Sequence, residues 1–158
     1  MNMSEKINLR YKLDARLTAR VRVLSSKTTF ENIDVRRSIV GLVNNLKFPF
    51  PIRQIKIIDF SKDAVSKKMI VGNHGHPKNS GQWEIVLIFG DKRKKYFKFR
   101  YKNRNDKKIY EKMLFGGDVA IIPPGCILAF MAISEKARLI EISNKEYNPN
   151  NYLKDFLF

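Results

Sequence analysis

Between residues 52 and 143, no apolar run outlasts a short strand before a turn-forming residue cuts it, and this punctuation limits the fold more than any other feature. Residues 52–60 carry β-branched bulk at Ile52, Ile55, Ile57 and Ile58, interrupted by Arg53 and Lys56, and read as a strand. Ser61-Lys62-Asp63 reads as a turn, and residues 69–71 lead into Gly72-Asn73-His74-Gly75-His76. Residues 77–81 are a loop by composition, and residues 82–89 are apolar enough for a strand buried on both faces. Gly90-Asp91 turns the chain into residues 96–101, where Phe97 and Phe99 alternate with Lys98 and Arg100 as in a half-exposed strand. A polar turn at 102–108 precedes a returning strand at 109–114. Val119–Ile122 and residues 127–133 are apolar strands on either side of Pro123-Pro124-Gly125, and Arg138–Ser143 is the last clear strand. Many short strands, even turns and little helix predict an all-β barrel or sandwich.

His74 and His76, the chain's only histidines, stand one residue apart on an extended segment. Side chains on a strand repeat every two residues, so both rings face one side of a sheet and converge on one site. Glu84, within an apolar strand, needs a partner if buried, and its residue type leaves catalytic, ligand and salt-bridge roles open. Gly117, Pro123 and Gly125 read as turn-makers, Trp83 as core, and Tyr147 and Tyr152 as closing a barrel edge. Cys126, the single cysteine, cannot form an internal disulfide and reads as a small buried hydrophobe.

Length and composition bound the rest. A chain of 158 residues suits one domain with a sizeable core, and 44% hydrophobic content argues for a folded protein. The N-terminus lacks the apolar run of a secretion signal, and no stretch approaches the roughly 18 apolar residues of a membrane span, so the expected location is cytoplasmic with no membrane partner. The net charge of +16 concentrates anions around the molecule. Lys92-Arg93-Lys94-Lys95 and the lysines of 102–108 read as solvated turns and edge strands; recognition of an anionic small molecule, or less favourably of nucleic acid, is the competing reading. Residues 1–46 are mixed and arginine-rich (Arg10, Arg16, Arg20, Arg22, Arg36, Arg37) and read as an N-terminal arm or additional strands, with short strands near Val21, Val23 and Leu24 and a strand or helix turn near 39–43.

The histidine block, Glu84 and Gly90, followed by Gly117, five residues and Pro123-Pro124-Gly125, together resemble the two-part signature of the cupins. That resemblance implies a jelly-roll β-barrel over residues 47–158, with both blocks meeting in its mouth. A narrower resemblance joins Pro49-Phe50-Pro51-Ile52-Arg53, the histidine block, Ser134 and the ending Ser143-Asn144-Lys145-Glu146-Tyr147-Asn148-Pro149-Asn150-Asn151-Tyr152. These segments look like the nucleotide-sugar 3,4-ketoisomerases and their relatives, the deoxysugar 3,5-epimerases, over roughly residues 48–158.

The resemblance implies proton transfer on a nucleotide-linked keto-deoxysugar, with His74 and His76 as the catalytic pair, no cofactor, and a homodimer. Removing a proton beside a carbonyl suits a histidine. Arg53 and Lys56 are candidates for charge near an enediolate, with Gln82 and Glu84 as further substrate contacts. The chain departs from the resembling pattern at three places. Val71 stands for an arginine, Lys56 and Ile57 for aromatics that include a catalytic tyrosine, and Ile127 and Leu128 for a Trp-His pair. Those losses motivate a second expectation, a non-catalytic cupin module binding an anionic ligand. A third is a metal-dependent cupin enzyme using His74, His76 and Glu84, with Leu128 at the place of a further histidine.

Overall fold

The structure, a computed structural model, describes residues 20–24, 31–33, 38–40 and 50–158. The expectations for Arg10, Arg16, Arg36, Arg37 and residues 41–43 lie outside the described residues. The strands are β1 (Arg22–Leu24), β2 (Glu31–Ile33), β3 (Ser38–Val40), β4 (Gln54–Asp59), β5 (Ile70–Gly75), β6 (Glu84–Phe89), β7 (Lys95–Lys102), β8 (Tyr110–Phe115), β9 (Val119–Ile122), β10 (Ile127–Ala132), β11 (Arg138–Ser143) and β12 (Leu153–Lys154). One five-residue helix, α1 (Lys62–Ser66), follows β4. The turn expected at Ser61-Lys62-Asp63 is instead the start of that helix. The Ser61 hydroxyl accepts from the Ala64 amide at 3.1 Å, satisfying an otherwise orphaned N–H of the first turn.

Two five-stranded antiparallel sheets form the body, ordered β1-β9-β6-β11-β4 and β12-β5-β10-β7-β8, while β2 and β3 pair as a separate hairpin. The architecture is all-β, as the strand pattern predicts, and has the jelly-roll form that the cupin resemblance implies. The first sheet sends Val86, Ile88, Ala120, Ile122 and Leu139 into the space between the sheets, and the second sends Phe97, Phe99, Leu128, Phe130 and Ala132 to meet them. Phe99 and Phe130 stack with centroids 4.7 Å apart, and Phe97 meets Phe60 edge-on at 5.1 Å.

The alternate residues of the first sheet build a second cluster on its outer face. Ile85, Leu87, Val119, Ile121 and Ile142 pack there with Leu24, Phe50 and Trp83. Burial on both faces explains why β6 is almost continuously apolar, each of its isoleucines contributing about 1.5–3 kcal/mol on removal from water. β1 adds to this sheet by pairing with β9, so part of the segment read as an arm or additional strands lies against the barrel.

Candidate active site

The histidines owe their direction to a break in β5. Leu128 pairs with His74 and Ala129 with Gly72, which leaves Asn73 as the extra residue of a β-bulge. Gly72 has φ of 101° and Asn73 of 55°, left-handed values that glycine and asparagine adopt most readily. The extra residue re-phases the strand, and His74 now shares the inward side with Leu128. Gly75, between the histidines, lies so close to the Cys126 carbonyl that a Cβ there would fall 1.8 Å from it. The Gly125 amide donates to the His76 carbonyl at 2.7 Å. The histidine block and the Pro-Pro-Gly corner are therefore in direct contact, as the two-part pattern leads one to expect.

His76 is 5% exposed, and both of its ring nitrogens are engaged. Nδ1–H donates to the Asn151 carbonyl at 2.8 Å, and Nε2 lies 2.7 Å from Glu84 Oε1. The Gln82 amide nitrogen also stands 3.0 Å from Nε2, and the Asn151 amide nitrogen 3.2 Å from Gln82 Oε1. One ring nitrogen carries either a proton or a lone pair, so it cannot serve a carboxylate and an NH2 donor together. Burial depresses the His76 pKa, but the hydrogen bond and charge of Glu84, then the Asn151 carbonyl, more than offset it and leave the value raised. The raised value favours the charged ring, which donates Nε2–H to Glu84.

Behind this pair, β11 supplies Glu141, which faces inward in register with Lys56 of β4 and Val86 of β6. Lys56 Nζ bonds Glu141 Oε1 at 2.6 Å and lies 5.8 Å from the centroid of the Tyr147 ring. Burial and the charge of Glu84 push the Glu141 carboxyl up, against the pull of Lys56. The Lys56 ammonium is depressed by desolvation yet raised on balance by its bond to Glu141 and by the charge of Glu141 and Glu84.

The C-terminal tail completes the site. β12 pairs with β5, Leu153 opposite Gly75 and Lys154 opposite His74. The Tyr152 ring meets His74 edge-on at 4.7 Å and His76 at 5.1 Å. Burial holds the Tyr152 phenol above its ordinary pKa. A groove of about 490 Å³ opens over His74, walled by Tyr147, Tyr152, Lys154 and Phe156. A second, of about 500 Å³, lies beyond Tyr147 and is lined by Ser80, Gln82, Lys145 and Asn151.

His74, His76, Gln82, Glu84 and Lys56 thus come together, and Arg53 does not. Gln54, Lys56 and Ile58 are the less exposed residues of β4, whereas Arg53 precedes the strand with the outward phase and is exposed. Glu84 and Gln82 reach His76 because Pro77 to Gly81 makes a compact turn around a short 3-10 segment at Lys78–Ser80. Sequence reasoning missed Glu141 and Asn151 and gave Tyr152 a structural role. The tail segment was distinctive as a whole, but nothing local in it showed which side chain would lie on the histidines.

His74, His76 and Glu84 each present a donor atom within 4.8 Å of the others, the arrangement a metal would need. An ion of the zinc or iron type at about 2.0–2.2 Å from nitrogen and oxygen ligands spreads them roughly 3 Å or more apart. His76 and Glu84 are in direct hydrogen-bond contact at 2.7 Å, and the other His76 nitrogen faces a carbonyl. These three are the residues that would hold an ion, with the Nδ1–H of His76 on the Asn151 carbonyl as in many metal-bound imidazoles; as placed, Nε2 and Glu84 are hydrogen-bonded to each other.

No family model and no curated protein matches the chain. Solved structures do. A 3,4-ketoisomerase from Helicobacter canadensis superposes with a TM-score of 0.63 at 20% identity, covering 87% of this chain and 92% of that one. The 3,4-ketoisomerase QdtA from Thermoanaerobacterium thermosaccharolyticum, solved with TDP-4-keto-6-deoxyglucose, gives 0.60 at 16% identity, with 85% and 87% covered. The 3'-monoepimerase ChmJ from Streptomyces bikiniensis, solved with dTDP-quinovose, gives 0.65 at 11% identity, with 85% and 68% covered. The chain has the cupin jelly-roll fold in the form that these sugar ketoisomerases and epimerases share.

Proposed function

We propose that this protein is a sugar isomerase or epimerase that moves a proton on a nucleotide-linked keto-deoxysugar, with His74 as the base. The observation that carries the reading is the position of His74. Its ring is held by Tyr152, makes no hydrogen bond among the described residues, and faces the groove, while His76 behind it is fixed at both nitrogens.

For a 4-keto sugar, the base takes the C3 proton as the electron pair moves onto the C4 oxygen, giving an enediolate. A proton passes from O3 to O4, and return of a proton to C4 leaves a 3-keto sugar, with no net gain or loss of atoms. The developing oxyanion needs a donor; the Tyr152 phenol lines the groove, and Lys56 lies behind it beside Tyr147, and both are able to serve. Lys56 takes the inward position on the strand where the resemblance implies a tyrosine, and Tyr152 brings a phenol back from the tail. His76 is a positioning residue, a buried cation held by Glu84 against which His74 and Tyr152 pack.

Purified protein incubated with dTDP-4-keto-6-deoxyglucose in D2O is expected to yield the 3-keto isomer or to exchange the C3 proton, followed by NMR. His74→Asn is expected to lower the rate by roughly 10²- to 10⁴-fold. Binding of TDP by the variant should be unchanged. Neither product nor exchange with the wild type would remove the catalytic reading.

One observation favours the second reading, a non-catalytic module for the same class of ligand: Leu128, paired with His74, is apolar and buried at a position where the resembling enzymes are polar. Tight TDP-sugar binding with no exchange is the outcome that selects it. We further propose a homodimer in the cytoplasm. Support for the dimer comes from β4, which among the described residues pairs only with β11 and leaves Ile55 and Ile57 61% and 64% exposed.

A further inference from the structure

Phe156 is 83% exposed, yet the chain around it is fastened down. The Asp155 amide donates to the Asn73 carbonyl at 3.3 Å and the Leu157 amide to the Asn73 side-chain oxygen at 3.0 Å. Lys102 bonds Asp155 at 2.8 Å, Arg100 donates to the Leu157 carbonyl at 2.9 Å, and the Leu157 side chain is buried. An apolar ring in water on a frayed end needs no explanation. Here the residues on both sides are seated, and the ring is held out over the groove that contains His74.

Tyr152, Lys154 and Phe156 line that groove together with Asp155, whose carboxylate is held by Lys102, and Leu153 does not reach it. Alternate residues of an extended segment share a side, so the three form a row about 13 Å long at roughly 3.3 Å per residue. The row begins on the imidazole of His74, continues with an exposed ammonium that has no partner among the described residues, and ends on an aromatic face. Read along its length, it matches a sugar, a diphosphate and a base in that order.

Resting on the nucleotide-sugar reading, we infer that the C-terminal tail is the nucleotide-reading element of the site: Lys154 holds the diphosphate and Phe156 stacks on the base. The ligand class is a nucleoside diphosphate, joined through its terminal phosphate to the sugar that lies against His74 and Tyr152. The charge of the chain as a whole, +16, favours arrival of such an anion from any direction, so the local claim must be separated from that general attraction. Lys145 provides the comparison. It is likewise exposed, and it lines the neighbouring groove beyond Tyr147.

The test is calorimetric titration of the full chain with TDP and with TMP. Phe156→Ala is expected to weaken both by roughly 5- to 100-fold, the range for loss of an aromatic stacking face. Lys154→Met is expected to weaken TDP by about 3- to 10-fold and TMP less, because the second phosphate is what it holds. Lys145→Met should leave both unchanged. All three side chains are exposed, so the variants retain the fold, and matching thermal midpoints verify that. Wild-type binding that survives Phe156→Ala and Lys154→Met, or falls equally with Lys145→Met, overturns the tail assignment and leaves the proposed function standing. Wild-type protein that binds no TDP overturns both.

Discussion

His76 commits both ring nitrogens to the protein, and a pH dependence of stability follows. Its folded pKa is raised, so the folded state holds the proton more tightly than the unfolded chain does. The stabilisation is complete below the ordinary value of about 6.5 and is lost as pH rises through the raised one. Glu141, also raised, adds a decline of the same sign just above the ordinary carboxylate range. The thermal midpoint is therefore expected to fall between about pH 6 and pH 9. His76→Gln, which can still bond the Asn151 carbonyl but has no charge to lose, should flatten that fall. A wild-type midpoint independent of pH over this range would show that His76 is not held as a cation. At this scale the sequence was informative about which residues matter and silent about how they divide the work. His74 and His76 look equivalent on paper, and only their surroundings separate a ring facing a groove from a ring locked to Glu84.

At the scale of elements, the bulge in β5 does two things. It turns His74 inward, and through Asn73 it seats the tail, since the backbone and side chain of that residue accept from Asp155 and Leu157. Asn73→Ala removes the acceptor for the Leu157 amide and is expected to cost about 1–2 kcal/mol. Hydrogen exchange should report it locally, with Leu157 losing protection while the β6 amides keep theirs. Uniform loss across the barrel, or none at Leu157, would contradict this account of the seat. The strand pattern located β5 to within a residue or two, but the bulge was not legible. Gly72-Asn73 has the composition of a turn, and only the pairing of Leu128 and Ala129 across the sheet shows that the strand continues through it. The short helix after β4 was missed for a related reason: Ser61-Lys62-Asp63 serves equally as a turn or as a capped first turn.

At the scale of the whole molecule, β4 is a sheet edge among the described residues, and it exposes Ile55 and Ile57. An antiparallel pairing of two β4 strands about Lys56 would set Ile55 of one copy against Ile57 of the other and Arg53 against Asp59 of the partner subunit. Like residues in a two-fold pairing make such a contact self-complementary. Sedimentation equilibrium is expected to give twice the 18.5 kDa chain mass for the wild type and the single mass for Ile57→Lys. A monomeric wild type at tens of micromolar, or a dimer indifferent to the lysine, would remove this interface.

The sequence by itself determined the class of fold and the neighbourhood of the site. Strand alternation and turn chemistry act over a few residues, so the apolar runs, the Pro-Pro-Gly corner and the shared side of the two histidines could be read from the chain directly. Tertiary structure alone decided which partners those residues found. Glu84 arrives at His76 from the next strand, Glu141 at Lys56 from 85 positions away, and Asn151 at His76 from 75. Such contacts depend on sheet register and on the path of a tail around a barrel edge. Neither is encoded in any short stretch, because backbone hydrogen bonds align strands without regard to how far apart they lie in the chain.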